Sequence, residues 1–196
     1  MISKTETISA KKQHILEQAA LLFREKGYAA STMRDLAERV GVEPSSLYNH
    51  IKSKSEILRD ICLSNGGRFT EGIKEIISDF QDPSDQLRQV IRLHISIAIE
   101  DNSSITVFND EWRHLDEESL GEFLRMRKFY EKTLKGILQE GIGSGQWQHH
   151  NIDVMMNSLL SSFRWLHENY RKDKHGDVDQ LCSEMAELWL KGIEKR

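Results

Sequence analysis

Residues 32–56, TMRDLAERVGVEPSSLYNHIKSKSE, read as two short helices joined by a tight turn and followed by the cationic start of a third. Thr32 stands three residues before Asp35, so its hydroxyl can accept a backbone N–H that the first helical turn leaves orphaned while the Asp35 carboxylate reaches back: a capping box. Leu36, Ala37 and Val40 then recur at helical spacing, and Gly41 supplies the left-handed residue that ends the helix. Pro44 suits a first helical position, where its missing N–H costs nothing, and opens a second helix expected to run to about Ile51. Leu47 and Ile51 are four apart and turn to the core, which distributes Ser45, Ser46, Tyr48, Asn49 and His50 over the other faces. Ser53 with Glu56 caps the next helix. Lys52 and Lys54 then flank an N-terminus whose orphan N–H groups suit a phosphate.

Helix, Gly-containing turn, helix is the pattern of a helix-turn-helix reader of DNA, although capped helices separated by glycine also occur in ordinary helical proteins. The run Gly41-Val42, Leu47-Tyr48-Asn49-His50 and Lys54-Ser55-Glu56-Ile57-Leu58, with the lead-in from Ile15 to Tyr28, resembles the N-terminal domain of the TetR family of bacterial transcription repressors. The resemblance covers the first quarter to third of the chain. It implies that Thr32, Tyr48 and Lys54 touch the DNA backbone and that Pro44, Ser45, Ser46 and Asn49 approach base edges. Of these, Asn49 can pair bidentately with adenine, whereas serines discriminate poorly.

Composition sets the frame. With 38% hydrophobic and 30% charged residues and only two prolines, the chain suits a folded helical protein. No segment approaches a membrane span, and residues 1–12 lack the apolar core of a signal peptide, so a cytoplasmic location without membrane contact is expected. Net charge is −4, but residues 1–60 hold ten basic and eight acidic side chains, +2, against −6 for the remainder. The asymmetry has the sign expected if phosphate contacts are local. Cys62 and Cys182 suggest neither disulfide nor metal site, and the adjacent His149 and His150 point in different directions on a helix. No Gly-rich phosphate loop, no nucleophile with its base and no singled-out carboxylate pair is visible, so neither enzyme activity nor a cofactor is expected.

Helical periodicity continues to the end, and strand-like alternation never appears. A long helix runs from about Lys54 toward Phe80, with Gly66-Gly67 as a point of weakness, and Asp82-Pro83 breaks it. Leu87 to Ala98 mark the next helix, Ile105 to Trp112 a short one, and Asp116 to Leu138 a long one ended by Gly141, Gly143 and Gly145. Two more are expected, from Asn151 or Ile152 to about Arg171 and from Val178 to Ile193. The expectation is an all-α protein of about nine helices: residues 1–55 as the helix-turn-helix domain and 56–196 as a regulatory, ligand-binding and dimerisation domain.

One small reader contacts few base pairs, so specific binding to double-stranded operator DNA implies a homodimer. In the TetR family the last two helices of each subunit pair across a two-fold axis, which makes Leu159, Phe163, Leu166, Leu181, Met185, Leu188 and Trp189 candidates for that interface, although some must face the subunit's own core. The family also holds a small-molecule effector inside the C-terminal domain. The run Phe108 to Trp147, including Glu111, Arg113-His114-Leu115, Arg127, Tyr130-Glu131, Gly141, Gly145 and Trp147, is similar to members that respond to acyl-CoA thioesters. Such a ligand needs an apolar enclosure for its acyl part and cations for its phosphates. Arg113, Arg127, Lys128 and Arg164 can supply the cations and Trp112, Phe129 and Trp165 the apolar surface; Tyr130 completes the candidate set, with His94 as either a ligand contact or a satisfied core histidine. A helical protein-interaction module that does not bind DNA is the rival reading. The gathering of Thr32, Tyr48, His50, Lys52 and Lys54 near two helix N-termini argues against it.

Overall fold

A computed structural model describes residues 10–170 and 175–194, apart from the Glu168 side chain. The helices are α1 (Ala10–Lys26), α2 (Met33–Val40), α3 (Pro44–Leu47), α4 (Lys54–Asp79), α5 (Pro83–Glu100), α6 (Asn102–Asp110), a 3₁₀ turn (Trp112–His114), α7 (Glu117–Gly143), α8 (Ile152–Ser161), α9 (Leu166–Asn169) and α10 (Val178–Ile193). Among the described residues the only β pairing is a single antiparallel bridge between Trp147 and Glu194.

The capping box at α2 forms as its spacing predicts. Thr32 accepts from the Asp35 N–H at 3.1 Å, and the Asp35 carboxylate accepts from the Thr32 N–H at 2.8 Å. Gly41 closes α2 at φ +73°. Two expectations are corrected. The second helix of the reader is α-helical for only four residues; from Tyr48 the chain tightens into i→i+3 bonds, Asn49 N–H to Ser46 O and His50 N–H to Leu47 O, which bring Ile51 into the core. The helix expected from 151 or 152 to about Arg171 also stops, at Ser161. There the Ser162 hydroxyl donates to the Leu159 carbonyl at 2.6 Å, and Phe163, Arg164 and Leu166 each donate three residues back. Arg171 itself lies outside the described residues.

Gly66-Gly67 does not interrupt α4. Gly66 is there for space: a Cβ on it would stand 2.9 Å from the Met126 sulfur of α7. Two hydrophobic cores share this helix. Ile57, Leu58, Ile61 and Cys62 pack with α1, Leu36, Leu47 and Ile51, and with Val107, Leu115 and Phe123. Further along, Phe69, Ile73 and Ile76 join the core built by α5, α7, α8 and α10. A division at residue 55 therefore falls in the first turn of α4. Asn65, buried between the cores, donates to the Ser104 hydroxyl and to the Ile61 carbonyl, joining α4 to α6. The two cysteines are buried free thiols, and burial pushes Cys62 up to about 12.

Asp35 makes the start of α2 sensitive to acid. The Lys26 ammonium 2.9 Å away, followed by the Thr32 hydroxyl and N–H, lowers its pKa from 3.8 to about 2. Because the folded value lies below the unfolded one, the stabilisation is complete above about pH 4 and is lost as pH falls toward 2. Asp35→Ala is expected to be less stable than the parent at neutral pH, and the gap in urea-unfolding midpoints should shrink across that acid window.

Candidate functional site: reader face and cavity

Two sites are built on this frame. The first is the face formed by α2, the turn and α3, where Thr32, Pro44, Ser45, Ser46, Tyr48, Asn49, His50 and Lys52 are all exposed. Leu47 and Ile51, both fully buried, anchor this face from beneath, so its small and hydrogen-bonding groups stand on a rigid base. Tyr48 leaves 51% of its surface in solvent although it is aromatic, which no packing requirement explains.

Two predicted reader residues have other partners. Lys54 is half-buried, and its ammonium donates to the carbonyls of Tyr28 and Ser31, each at 2.7 Å, while sitting 4.3 Å from the centre of the Tyr28 ring. Its donors thus hold the loop between α1 and α2 and do not project toward a phosphate. Thr32 similarly directs its hydroxyl proton to Asp35 at 2.8 Å. The same loop is gripped from the other side, since the Tyr28 N–H donates to the Glu111 carboxylate at 3.1 Å. Glu56, after the Ser53 cap, accepts from the Lys52 N–H and pairs with Lys12 of α1.

The second site is a cavity of about 350 Å³ between α4, α5, α6, α7 and the α8–α9 junction. Of the predicted ligand residues, His94, Trp112, Arg113, Arg127, Tyr130 and Arg164 line it. Trp165 does not: its ring packs 5.2 Å from His175 on the far side of the break after α8. Lys128 and Phe129 are exposed on α7, where Phe129 meets Lys74. The spacing along α7 shows why. Tyr130 and Arg127 are three apart and share a face, whereas Lys128 and Phe129 are rotated away.

The walls divide into an aromatic interior and a cationic rim. His94 hydrogen-bonds through Nε2 to the Tyr130 hydroxyl at 2.7 Å and stacks on Phe163 at 4.4 Å, with Phe69 at 4.7 Å. Enclosure by protein lowers the His94 pKa to about 3, so the imidazole is neutral at ordinary pH, and burial likewise raises that of Tyr130. Trp112 stacks on Phe123 at 5.6 Å, and the Arg113 and Arg127 guanidinium groups lie 4.5 and 5.7 Å from its ring centre. Arg113, Arg127 and Arg164 are exposed; Arg127 pairs with Glu131, Arg164 with Asp110, and Arg113 makes no ion pair among the described residues. Exposed pairs of this kind are weak and exchange readily for a stronger anion.

Phe69, Phe108, Phe123 and Met126 also line the cavity and were not singled out in the sequence. They occupy ordinary apolar positions, and only the glycine at 66, which admits Met126, marks the spot. Phe163 was expected at a dimer surface but belongs to the cavity. The reason is the break after α8, which ends the stripe that it would have continued. Leu159, Leu166, Leu181 and Met185, also expected there, are buried within the single chain. Leu188, 75% exposed, and the half-buried Trp189, whose indole donates to the Ser162 hydroxyl, remain on the outside, joined by Val154 on α8.

Residues 15–61 match the profile of the bacterial regulatory proteins of the tetR family, and residues 81–193 that of the tetracyclin repressor-like C-terminal domain. The chain belongs to the TetR family. Across 190 residues it is 27% identical to the fatty acid metabolism regulator protein of Bacillus subtilis, covering 95% of this chain and 97% of the relative. The fold is also that of the ketosteroid transcriptional regulator KstR2 of Mycobacterium tuberculosis (TM-score 0.89, 21% identity, 97% and 98% of the two chains covered). It is shared with AibR, solved in complex with isovaleryl coenzyme A and operator DNA (TM-score 0.77, 22% identity, 91% and 97% covered). A TetR-family chain is a DNA-binding transcriptional regulator and not an enzyme, which sets aside the protein-interaction module. Among the described residues no helix is long and apolar enough to cross a membrane.

Because Lys54 holds the α1–α2 loop, Lys54→Ala is expected to cost about 1.5–3 kcal/mol, the range for hydrogen bonds to a charged group. Urea unfolding measures it. Lys54→Met, which keeps the stem over Tyr28 but not the donors, should lose most of the same amount.

Proposed function

We propose that the protein is a cytoplasmic homodimeric repressor that reads operator DNA with the α2–α3 face and leaves it when an acyl-CoA thioester occupies the cavity. The observation that carries the effector is the division of the cavity wall. An enclosed aromatic interior suits an acyl group, and three exposed arginines at its rim suit the phosphates of coenzyme A. The complex of AibR with isovaleryl coenzyme A and the naming of the Bacillus subtilis relative for fatty acid metabolism agree in ligand chemistry.

On the DNA side, Ser45, Ser46 and Asn49 face the base edges, with Pro44 setting the start of the helix, while Tyr48, His50 and Lys52 take the backbone. Lys54 and Thr32 act by holding the loop and the cap. Val154, Leu188 and Trp189 lie on the dimer face, where an exposed valine on α8 and an exposed leucine on α10 gain from burial against a second copy. Coupling runs through the 3₁₀ turn: a ligand that presses on Trp112 and Arg113 displaces the adjacent Glu111, which holds the Tyr28 N–H and so the loop below the reader.

Acyl-CoA thioesters at about 100 times their dissociation constant should stabilise the protein by roughly 2.7 kcal/mol in thermal unfolding. Free coenzyme A should act more weakly, and no stabilisation by any thioester contradicts the effector assignment. On DNA recovered by selection for bound sequences, Lys52→Ala should lower the slope of log affinity against log salt by about one for every sequence. Asn49→Ala should instead change which sequences are selected, and an equal loss on all DNA removes Asn49 from the base-reading set.

A further inference from the structure

The His94–Tyr130 pair lies among aromatic rings of the cavity wall. Phe163 and Phe69 pack against the imidazole at stacking distance, which leaves the ring edge, with its nitrogens, as the part able to meet a ligand. Tyr130 is 7% exposed, and both residues line the cavity.

Counting protons gives the chemistry. A neutral imidazole carries one N–H and a phenol one O–H, and their mutual bond at 2.7 Å uses one of the two. If Tyr130 donates to Nε2, the imidazole proton is on Nδ1; if Nε2 donates to Tyr130, the phenolic proton is left. In both arrangements one donor remains, and among the described residues neither side chain makes a second hydrogen bond. A ligand that placed only methylene groups here would enclose this donor without a partner, which is costly.

We infer that the effector presents a carbonyl-type oxygen to the His94–Tyr130 pair, so that the pair selects oxygen-bearing acyl groups over plain hydrocarbon at this depth. The inference rests on the proposed binding of acyl-CoA thioesters in the cavity. The oxygen is either the thioester carbonyl itself or an oxo group farther along the acyl chain, and one donor serves either.

The test uses the full chain with three probes: hexanoyl-CoA, its thioether analogue in which a methylene replaces the carbonyl, and 5-oxohexanoyl-CoA, each titrated by calorimetry. One hydrogen bond of ordinary net strength gives about a tenfold change in affinity. A tenfold loss for the thioether assigns the thioester carbonyl, and a tenfold gain for the oxo compound assigns the chain oxygen. Single variants His94→Phe and Tyr130→Phe each keep one donor and should keep a preference; the double variant has none and should bind all three probes equally. Its melting temperature without ligand checks folding, and replacing both partners by apolar rings is expected to leave it near the parent value. Two results overturn the inference while the thioester reading stands: all three probes binding the parent alike, or the double variant keeping the parent's ratio. Failure of all three to bind overturns both.

Discussion

The backbone at Tyr28 is held from two sides, and the placement of the DNA-reading face depends on it. Its N–H donates to Glu111 at the end of α6, and its carbonyl accepts from Lys54 at the start of α4. These two bonds fix the loop that leads into α2, and through the Thr32–Asp35 cap they fix the helix on which α3 leans. Charged partners on a loop backbone make strong, oriented hydrogen bonds. The Tyr28 ring adds packing against Phe23 and His114, so the loop is a joint with defined geometry.

Around that joint one helix serves both cores. α4 carries Ile57 to Cys62 into the core beneath the reader and Phe69 to Ile76 into the core around the cavity, without interruption at its paired glycines. Arg24 of α1 reaches Asn102 at the start of α6, and Val107 of α6 packs among the reader's own apolar residues. A change in cavity volume therefore meets a close-packed interior that transmits displacement, and the Glu111 turn is one connection between the two sites. The cavity also combines unlike demands. Exposed arginines with exchangeable carboxylate partners attract an anion, while His94 and Tyr130 place one polar edge inside an aromatic enclosure.

Local chemistry was legible in the sequence because it depends on residues three or four apart. Thr32 with Asp35, Gly41 at φ +73° and the inward pair Leu47 and Ile51 all follow from spacing. Side chains whose partners lie far along the chain were less so. Lys54 reads as a phosphate ligand from its place at a helix start, yet its partners are carbonyls more than twenty residues earlier. Phe163 and Trp165 read as parts of one helical stripe, but the Ser162 hydroxyl takes a backbone carbonyl, the stripe ends, and the two rings part company. Tyr130 and Arg127, singled out with the help of family likeness, line the cavity, and the phenylalanines beside them gave no such signal, because an aromatic at an apolar position looks the same whether it fills a core or lines a space.

In the function proposed, occupation of the cavity and binding of DNA weaken one another through the Glu111–Tyr28 joint. Such coupling is reciprocal, so thioester affinity measured on the free protein and on the operator complex must differ by the same factor by which the thioester weakens operator binding. A shared factor of about 5 to 150, the usual range of coupling between sites, is expected. Equal thioester affinity in the presence and absence of operator would contradict it.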